Sequence, residues 1–293
     1  MKVLILGKDG QVGRALQRRL MPLGVSAHGR ADGNLEEPDV LAALIARERP
    51  DIIVNAAAYT AVDQAEDDRA RAWKVNAEAL ETIGVAAKKT GALVVLYSTD
   101  YVYPGTGQGF QSETEPTSPL SVYGASKLAG EVLLRDSGAR HVILRTSWVY
   151  APQGKNFPLT ILRLAKERDS LTVVADQVGA PTSADLIADV TAQVIAHADG
   201  HSGIYNLAPS GETSWHGLAQ FIVAEALAQG AGLKLAPGAI TPIRTDQYPA
   251  KAARPANSRL DTTKLRTTFG LTLPAWQDGI RQLISTLKQE GRL

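Results

Sequence analysis

Met1-Lys2-Val3-Leu4-Ile5-Leu6-Gly7-Lys8-Asp9-Gly10-Gln11-Val12-Gly13 is the stretch that decides the fold. The unbroken apolar run at 3–6 reads as a strand covered on both faces, as strands of parallel sheets are. Glycines at 7, 10 and 13 form a G-x-x-G-x-x-G turn, and a helical pattern over 11–20 follows at once, with Val12, Leu16 and Leu20 on one face. Strand, glycine turn and helix in that order let the backbone approach a pyrophosphate seated on the helix N-terminus. A glycine-rich turn without a ligand is the plain alternative, and it is the position of the triplet between strand and helix that gives it weight.

Moving outward, the alternation continues. A strand at 24–28 precedes a helix carrying Val40, Leu41, Leu44 and Ile45; a strand at 52–55, a long helix across 73–89 and a strand at 93–98 follow. After a loop at 104–121 rich in Gly, Pro, Ser and Thr come a helix at 122–135 and a strand at 142–146. This pattern predicts an α/β fold, a doubly wound parallel sheet of the Rossmann type over residues 1–150 that binds a dinucleotide, with helices on both faces. Beyond Tyr150 the rhythm breaks at proline-bearing segments 151–158, 179–182 and 242–255, so residues 151–293 are expected to form a smaller, mainly C-terminal substrate domain. The segment 183–207 either belongs to that domain or returns to the first sheet.

Thirty-one basic and thirty acidic residues leave a net charge of +1, so no global field draws in nucleic acid or a membrane surface. An anionic small molecule must be held by local groups. The chain has no cysteine, which excludes disulfides, thiolate metal sites and a cysteine nucleophile, and agrees with a reducing compartment. The apolar run at the N-terminus is too short for a signal peptide, and no run approaches the roughly eighteen residues of a membrane span. A soluble cytoplasmic protein is expected, and a homodimer is compatible with the sequence.

The end of the second strand, where cofactor choice is normally made, reads His28-Gly29-Arg30-Ala31-Asp32. An acid there binds a ribose 2′-hydroxyl, whereas an arginine meets a 2′-phosphate. Arg30 favours NADPH and Asp32 keeps NADH open. Asn55-Ala56-Ala57-Ala58 ends the third strand in small side chains, which suits either a flat ligand lying on the backbone or tight helix packing.

Tyr123 and Lys127 stand four residues apart at the start of a helical pattern and share a face. An ammonium close to a phenol favours the phenolate, so Lys127 is expected to lower the tyrosine below its usual value of about 10. Tyr123 would then give its proton to a carbonyl oxygen as hydride reaches the carbon, and Lys127 would also bond the cofactor ribose. Ser98-Thr99-Asp100 closes another strand at the carboxyl end, where open parallel sheets hold their ligands, and Thr99 can bond the same oxygen. A capping cluster beside an exposed helix is the alternative reading.

The glycine motif, Asn55-Ala56-Ala57, Ser98-Thr99-Asp100 and Tyr123-x-x-x-Lys127, in that order, resemble the extended short-chain dehydrogenase/reductase superfamily. Ala58-Tyr59-Thr60-Ala61-Val62-Asp63, Arg145-Thr146-Ser147-Trp148-Val149-Tyr150, Asp176-Gln177-x-Gly179-Ala180-Pro181-Thr182 and Arg254-Pro255-x-Asn257-Ser258-x-Leu260 narrow the resemblance to the dTDP-4-dehydrorhamnose reductases over almost the whole chain. The resemblance implies reduction of dTDP-4-dehydro-L-rhamnose at C4 by NADPH or NADH, a step in making cell-surface polysaccharide precursors. It carries catalytic roles onto Thr99, Tyr123 and Lys127 and places Thr99, Asp100, Tyr123 and Trp148 against the sugar. Around the cofactor it places Gly10, Gln11, Val12, Asn34, Leu35, Ala58, Tyr59, Thr60 and Tyr97, beside the Gly7, Gly13 and Arg30 of the motif reading.

Related sugar-nucleotide dehydratases set an acid pair after the threonine, whereas here Thr99 is followed by Asp100 and then Tyr101, which favours simple reduction. Magnesium is associated with the family, yet Arg14-Ala15 after the glycine motif supply no acid, and no metal ligand is assigned. Arg254 to Arg259, with Lys251 and Arg244, either bind the substrate pyrophosphate or form a solvated basic loop; Asn156-Phe157 is a further candidate nucleotide contact. Two other classes compete: a regulatory subunit akin to the methionine adenosyltransferase partner, and an epimerase or dehydratase that recycles a bound cofactor. The retained Thr99, Tyr123 and Lys127 speak against the first.

Overall fold

The computed structural model describes residues 1–197 and 199–293. Its first half is β1 (Lys2–Leu6), α1 (Gln11–Arg19), β2 (Gly24–His28), α2 (Pro38–Glu48), β3 (Ile52–Asn55), α3 (Val62–Ala65), α4 (Arg69–Trp73), α5 (Ala79–Thr90), β4 (Leu93–Thr99), α6 (Val122–Asp136) and β5 (His141–Thr146). The long helix expected over 73–89 is instead α4 and α5 joined by a π-helical turn at Lys74–Glu78. That turn swings Asn76 inward, where its amide clamps Tyr59 and bonds Ser126. Single π turns recur at functional sites, because the extra residue re-aims a side chain.

The second half is β6 (Val149–Tyr150), α7 (Phe157–Glu167), β7 (Leu171–Val174), β8 (Val178–Gly179), β9 (Thr182–Ser183), α8 (Ala184–His197), β10 (Gly203–Leu207), β11 (Thr213–Ser214), α9 (Trp215–Ala228), β12 (Ile240–Ile243), α10 (Thr263–Phe269) and α11 (Trp276–Gln289). Of the segment 183–207, α8 packs on α1 and β10 pairs in parallel with β5, so this piece of chain lies in and against the main sheet.

Six parallel strands run in the order β10-β5-β4-β3-β1-β2. Side chains alternate across the sheet with period two. Val3, Ile5, Val54, Val95 and Leu144 join α1 and α8 on one face, while Leu4, Leu6, Ile53, Leu96 and Ile143 join α2 and α5 on the other. Each such side chain, fully buried, contributes about 1.5–3 kcal/mol relative to exposure. A third cluster, built from α7, α9, α11, β7 and β12 around Leu162, Ile222, Ile280 and Leu283, forms the core of the C-terminal elements.

The strand order reverses at β1, with β2 on one side and β3 on the other, and a doubly wound sheet opens a crevice at the carboxyl ends of its strands at such a point. No described helix is long and apolar enough to cross a membrane.

Candidate active site

The crevice at the switch point is a cavity of about 790 Å³. Its floor is the glycine turn. Gly7 has φ of +89°, and a Cβ there would meet the Ala57 nitrogen at 2.6 Å, so β1 can approach the alanine run after β3 only with glycine. A Cβ on Gly13 would stand 2.0 Å from the Gly7 oxygen, which makes this third glycine the contact that folds α1 back over the turn. Gly10 precedes α1 without a side-chain cap, so the first N–H groups of the helix lack partners and are available to an anion. These features fit the pyrophosphate of a dinucleotide.

Gly7, Gly10, Gln11, Val12, Arg30, Asn34, Leu35, Ala58, Tyr59, Thr60, Tyr97, Thr99, Asp100, Tyr123, Lys127 and Trp148 all line this one cavity. Gly13 does not, since its part is inside the turn. Asp32 also stays out of the wall: its carboxylate accepts the Gly29 N–H at 2.7 Å and meets Lys8 at 3.3 Å and His28 at 3.1 Å. Asn156 is a cap, accepting the Leu159 N–H and donating to the Gln11 side chain at 2.8 Å.

The reactive wall is set by the start of α6. The Ser121 hydroxyl accepts the Gly124 N–H at 3.2 Å and Glu66 accepts the Val122 N–H at 2.9 Å, which together fix the first turn and with it Tyr123. Gly124 lies so close to the turn Asp100–Val102 that a Cβ would meet the Tyr101 oxygen at 2.3 Å, and the Tyr101 ring packs edge-on to that of Tyr123 at 5.5 Å. The Lys127 ammonium is buried and donates to the Tyr97 carbonyl at 2.6 Å. Burial holds this lysine down at about 8, while the nearby Glu131 carboxylate pulls it partly back up.

One expectation about this wall does not hold. Burial pushes Tyr123 up to about 12, with the Thr99 hydroxyl offsetting part of the rise. Desolvation outweighs any pull from the Lys127 ammonium, whose own hydrogen bond goes to the Tyr97 carbonyl. The phenol is therefore a fully protonated donor at neutral pH. Beside it, Thr99 Oγ1 donates to Asp100 Oδ1 at 3.1 Å. Asp100 lines the cavity, and burial raises it to about 6, with the Ser258 and Thr99 hydroxyls offsetting part of the rise.

Trp148, expected against the sugar, lines the cavity, and the groups that brace this wall carry no local sequence signal. Trp148 sits in left-handed backbone at φ of +49° and stacks on Trp215 with centroids 3.6 Å apart. Trp215, from the start of α9, also lines the cavity, and Gln177 accepts its indole N–H at 3.1 Å. Behind the reactive wall, buried Arg145 forks onto Glu131 at 2.6 and 2.9 Å, and the same carboxylate accepts from Ser98 at 2.5 Å. Removing one member of such a pair costs roughly 3–5 kcal/mol, so this pair fixes the end of β5, and through Ser98 that of β4, against α6.

The basic stretch near the C-terminus is paired away from the cavity. Arg254 donates to Asp63 at 2.7 Å, Arg259 to Glu212 at 2.6 Å, and Lys251 to Asp67. None of the three lines the cavity. Among the described residues no group of three or more His, Asp and Glu side chains is gathered that could hold a metal ion.

The chain matches the model of the RmlD substrate binding domain over residues 1–289. It is 47% identical to a dTDP-4-dehydrorhamnose reductase of Salmonella typhimurium, with 98% of each chain covered. Its fold superposes on a dTDP-4-dehydrorhamnose reductase of Clostridium acetobutylicum with a TM-score of 0.92 at 32% identity, covering 98% of this chain and 100% of the other. A Bacillus anthracis reductase of the same name, in complex with NADP, gives 0.91 at 33% identity, with 97% and 99% covered.

Proposed function

Because the chain belongs to the family of the RmlD substrate binding domain, alongside the dTDP-4-dehydrorhamnose reductases, we propose that it reduces the C4 keto group of dTDP-4-dehydro-L-rhamnose to give dTDP-L-rhamnose. The observation that carries this reading is the convergence of Thr99, Tyr123 and Lys127 on one cavity with the glycine turn. Bound at that turn, a reduced nicotinamide dinucleotide supplies the hydride that C4 receives.

The chain's own groups do the rest. Tyr123, held at about 12, keeps its proton until the C4 oxygen gains charge and then gives it up. Thr99 lies beside the phenol, and its one hydroxyl proton, turned from Asp100 Oδ1, donates a second hydrogen bond to that oxygen. The Lys127 ammonium, one helical turn along and shielded from water, offsets the charge left on the phenolate and reaches the cofactor ribose. Asp100, which lines the cavity beside Thr99, accepts a sugar hydroxyl. The Trp148 face, braced by Trp215, lies along the sugar ring.

The sheet with α8 and β10 serves the dinucleotide, and the remaining elements after β5 serve the sugar nucleotide. A cytoplasmic homodimer making precursors of cell-surface polysaccharide completes the reading. The test is loss of reduced-nicotinamide absorbance on adding dTDP-4-dehydro-L-rhamnose, with UDP- and GDP-linked keto sugars as controls. Stoichiometric consumption with the thymidine sugar is expected. Turnover without net consumption would turn the protein into an epimerase or dehydratase.

A further inference from the structure

Arg30, Glu36 and Arg71 line the same cavity as Asn34 and Leu35, at the end away from Tyr123, and the reaction leaves the last two unused. Arg30 Nη2 donates to Glu36 Oε1 at 2.5 Å. Arg71, from α4, donates to that same oxygen through Nε at 3.1 Å and Nη2 at 2.9 Å. An ordinary arginine–carboxylate pair spreads two N–H groups over two oxygens. Here N–H groups from two distant parts of the chain meet at a single atom, an arrangement matched to an oxyanion with more charge than one carboxylate carries.

The acid at the end of β2 is not in competition for that place. Asp32 is turned into its own loop by Gly29, Lys8 and His28; Asp9 lines the cavity beside Gly29, and Glu36 is the carboxylate that holds both arginines. We propose that Arg30 and Arg71 form the clamp for the 2′-phosphate of NADPH, with Glu36 holding the phosphate's place and accepting the ribose 2′-hydroxyl when NADH binds. This rests on the cofactor reading above and deepens it. A phosphate near neutral pH carries roughly −1.5 to −2 charges and three acceptor oxygens, so it displaces a single carboxylate from two guanidinium groups. With NADH, Glu36 stays between the two guanidinium groups and offsets one of their two charges, so the same site accepts either nucleotide.

The test compares 2′,5′-ADP with 5′-AMP, which differ only in the 2′-phosphate, by titration calorimetry on the full chain and its variants. Wild type should bind 2′,5′-ADP more tightly. Arg71→Ala should narrow the ratio about tenfold or more, as loss of charge-assisted hydrogen bonds does. Arg71→Lys, which keeps the charge and loses the fork, should fall between. Glu36→Gln, which removes the competing carboxylate, should widen the ratio several-fold. The NADPH-to-NADH ratio of kcat/KM should move in the same directions. Equal losses for both ligands in Arg71→Ala, or a narrowed ratio in Glu36→Gln, would overturn the clamp while leaving the cofactor reading intact. Failure of wild type to bind 5′-AMP, NADH or NADPH at all would overturn both.

Discussion

The start of α6 and the stretch 251–259 both carry basic side chains in suggestive patterns, yet the fold spends them differently. On α6 the four-residue spacing places Tyr123 and Lys127 on one face, and the ammonium is buried, with a carbonyl as its partner. In 251–259 the backbone is irregular, so each cation takes the nearest carboxylate, and Asp63, Asp67 and Glu212 are those. The stretch acts as a strap: Asn257 N–H donates to Gly105 O, Asp261 N–H to Gln111 O, and Pro255 lies where a Cβ on Gly105 would be. Regular spacing transmits chemistry because the helix fixes relative position; charge density in a loop reports only that partners will be found.

The sharpest break of this contrast is Tyr123→Phe. Removing the proton donor should lower kcat by about 10²–10⁴-fold while the Kd for nicotinamide nucleotide stays within about twofold, read by steady-state turnover and fluorescence titration. Near-normal turnover would reduce α6 to scaffold.

The next effect is on pH. Lys127 is held at about 8, so its ammonium is present below that value and is lost as pH rises through it. Tyr123, at about 12, stays protonated across the same range and adds no limb of its own. Asp100, raised to about 6, is a carboxylate above that pH and an acid below. The profile of kcat/KM should therefore be a bell between about 6 and 8, falling up to about tenfold per unit on either side. An alkaline limb close to the ordinary lysine value of about 10.4 would mean that burial does not govern Lys127.

What the sequence made legible follows the same division. The parallel sheet could be read because strand faces repeat every two residues and the glycine turn is built from consecutive ones, where local sterics decide. The π turn could not, since nothing in Lys74–Glu78 departs from helical pattern until Asn76 meets Tyr59 and Ser126 from other elements. Trp215 and Arg71 escaped for the same reason: each reaches the cavity from a helix whose own pattern looks ordinary. The upward shift of Tyr123 was hidden because desolvation depends on what covers the phenol, and the spacing to Lys127 says nothing about cover.

The smallest effect tests the strap itself. Arg259 is a mostly buried guanidinium whose partner Glu212 is half exposed, with side-chain exposures of 14% and 45%, so solvent screens much of the pair. Arg259→Gln should cost about 0.5–1 kcal/mol and lower Tm by roughly 1–3 °C. Because the guanidinium does not reach the cavity, KM for the sugar nucleotide should stay within about twofold, measured beside the melting curve. A tenfold rise in KM with an unchanged Tm would mean that the guanidinium leaves Glu212 to hold substrate phosphate, and the distinction between helix-borne and loop-borne charge would fail at that residue.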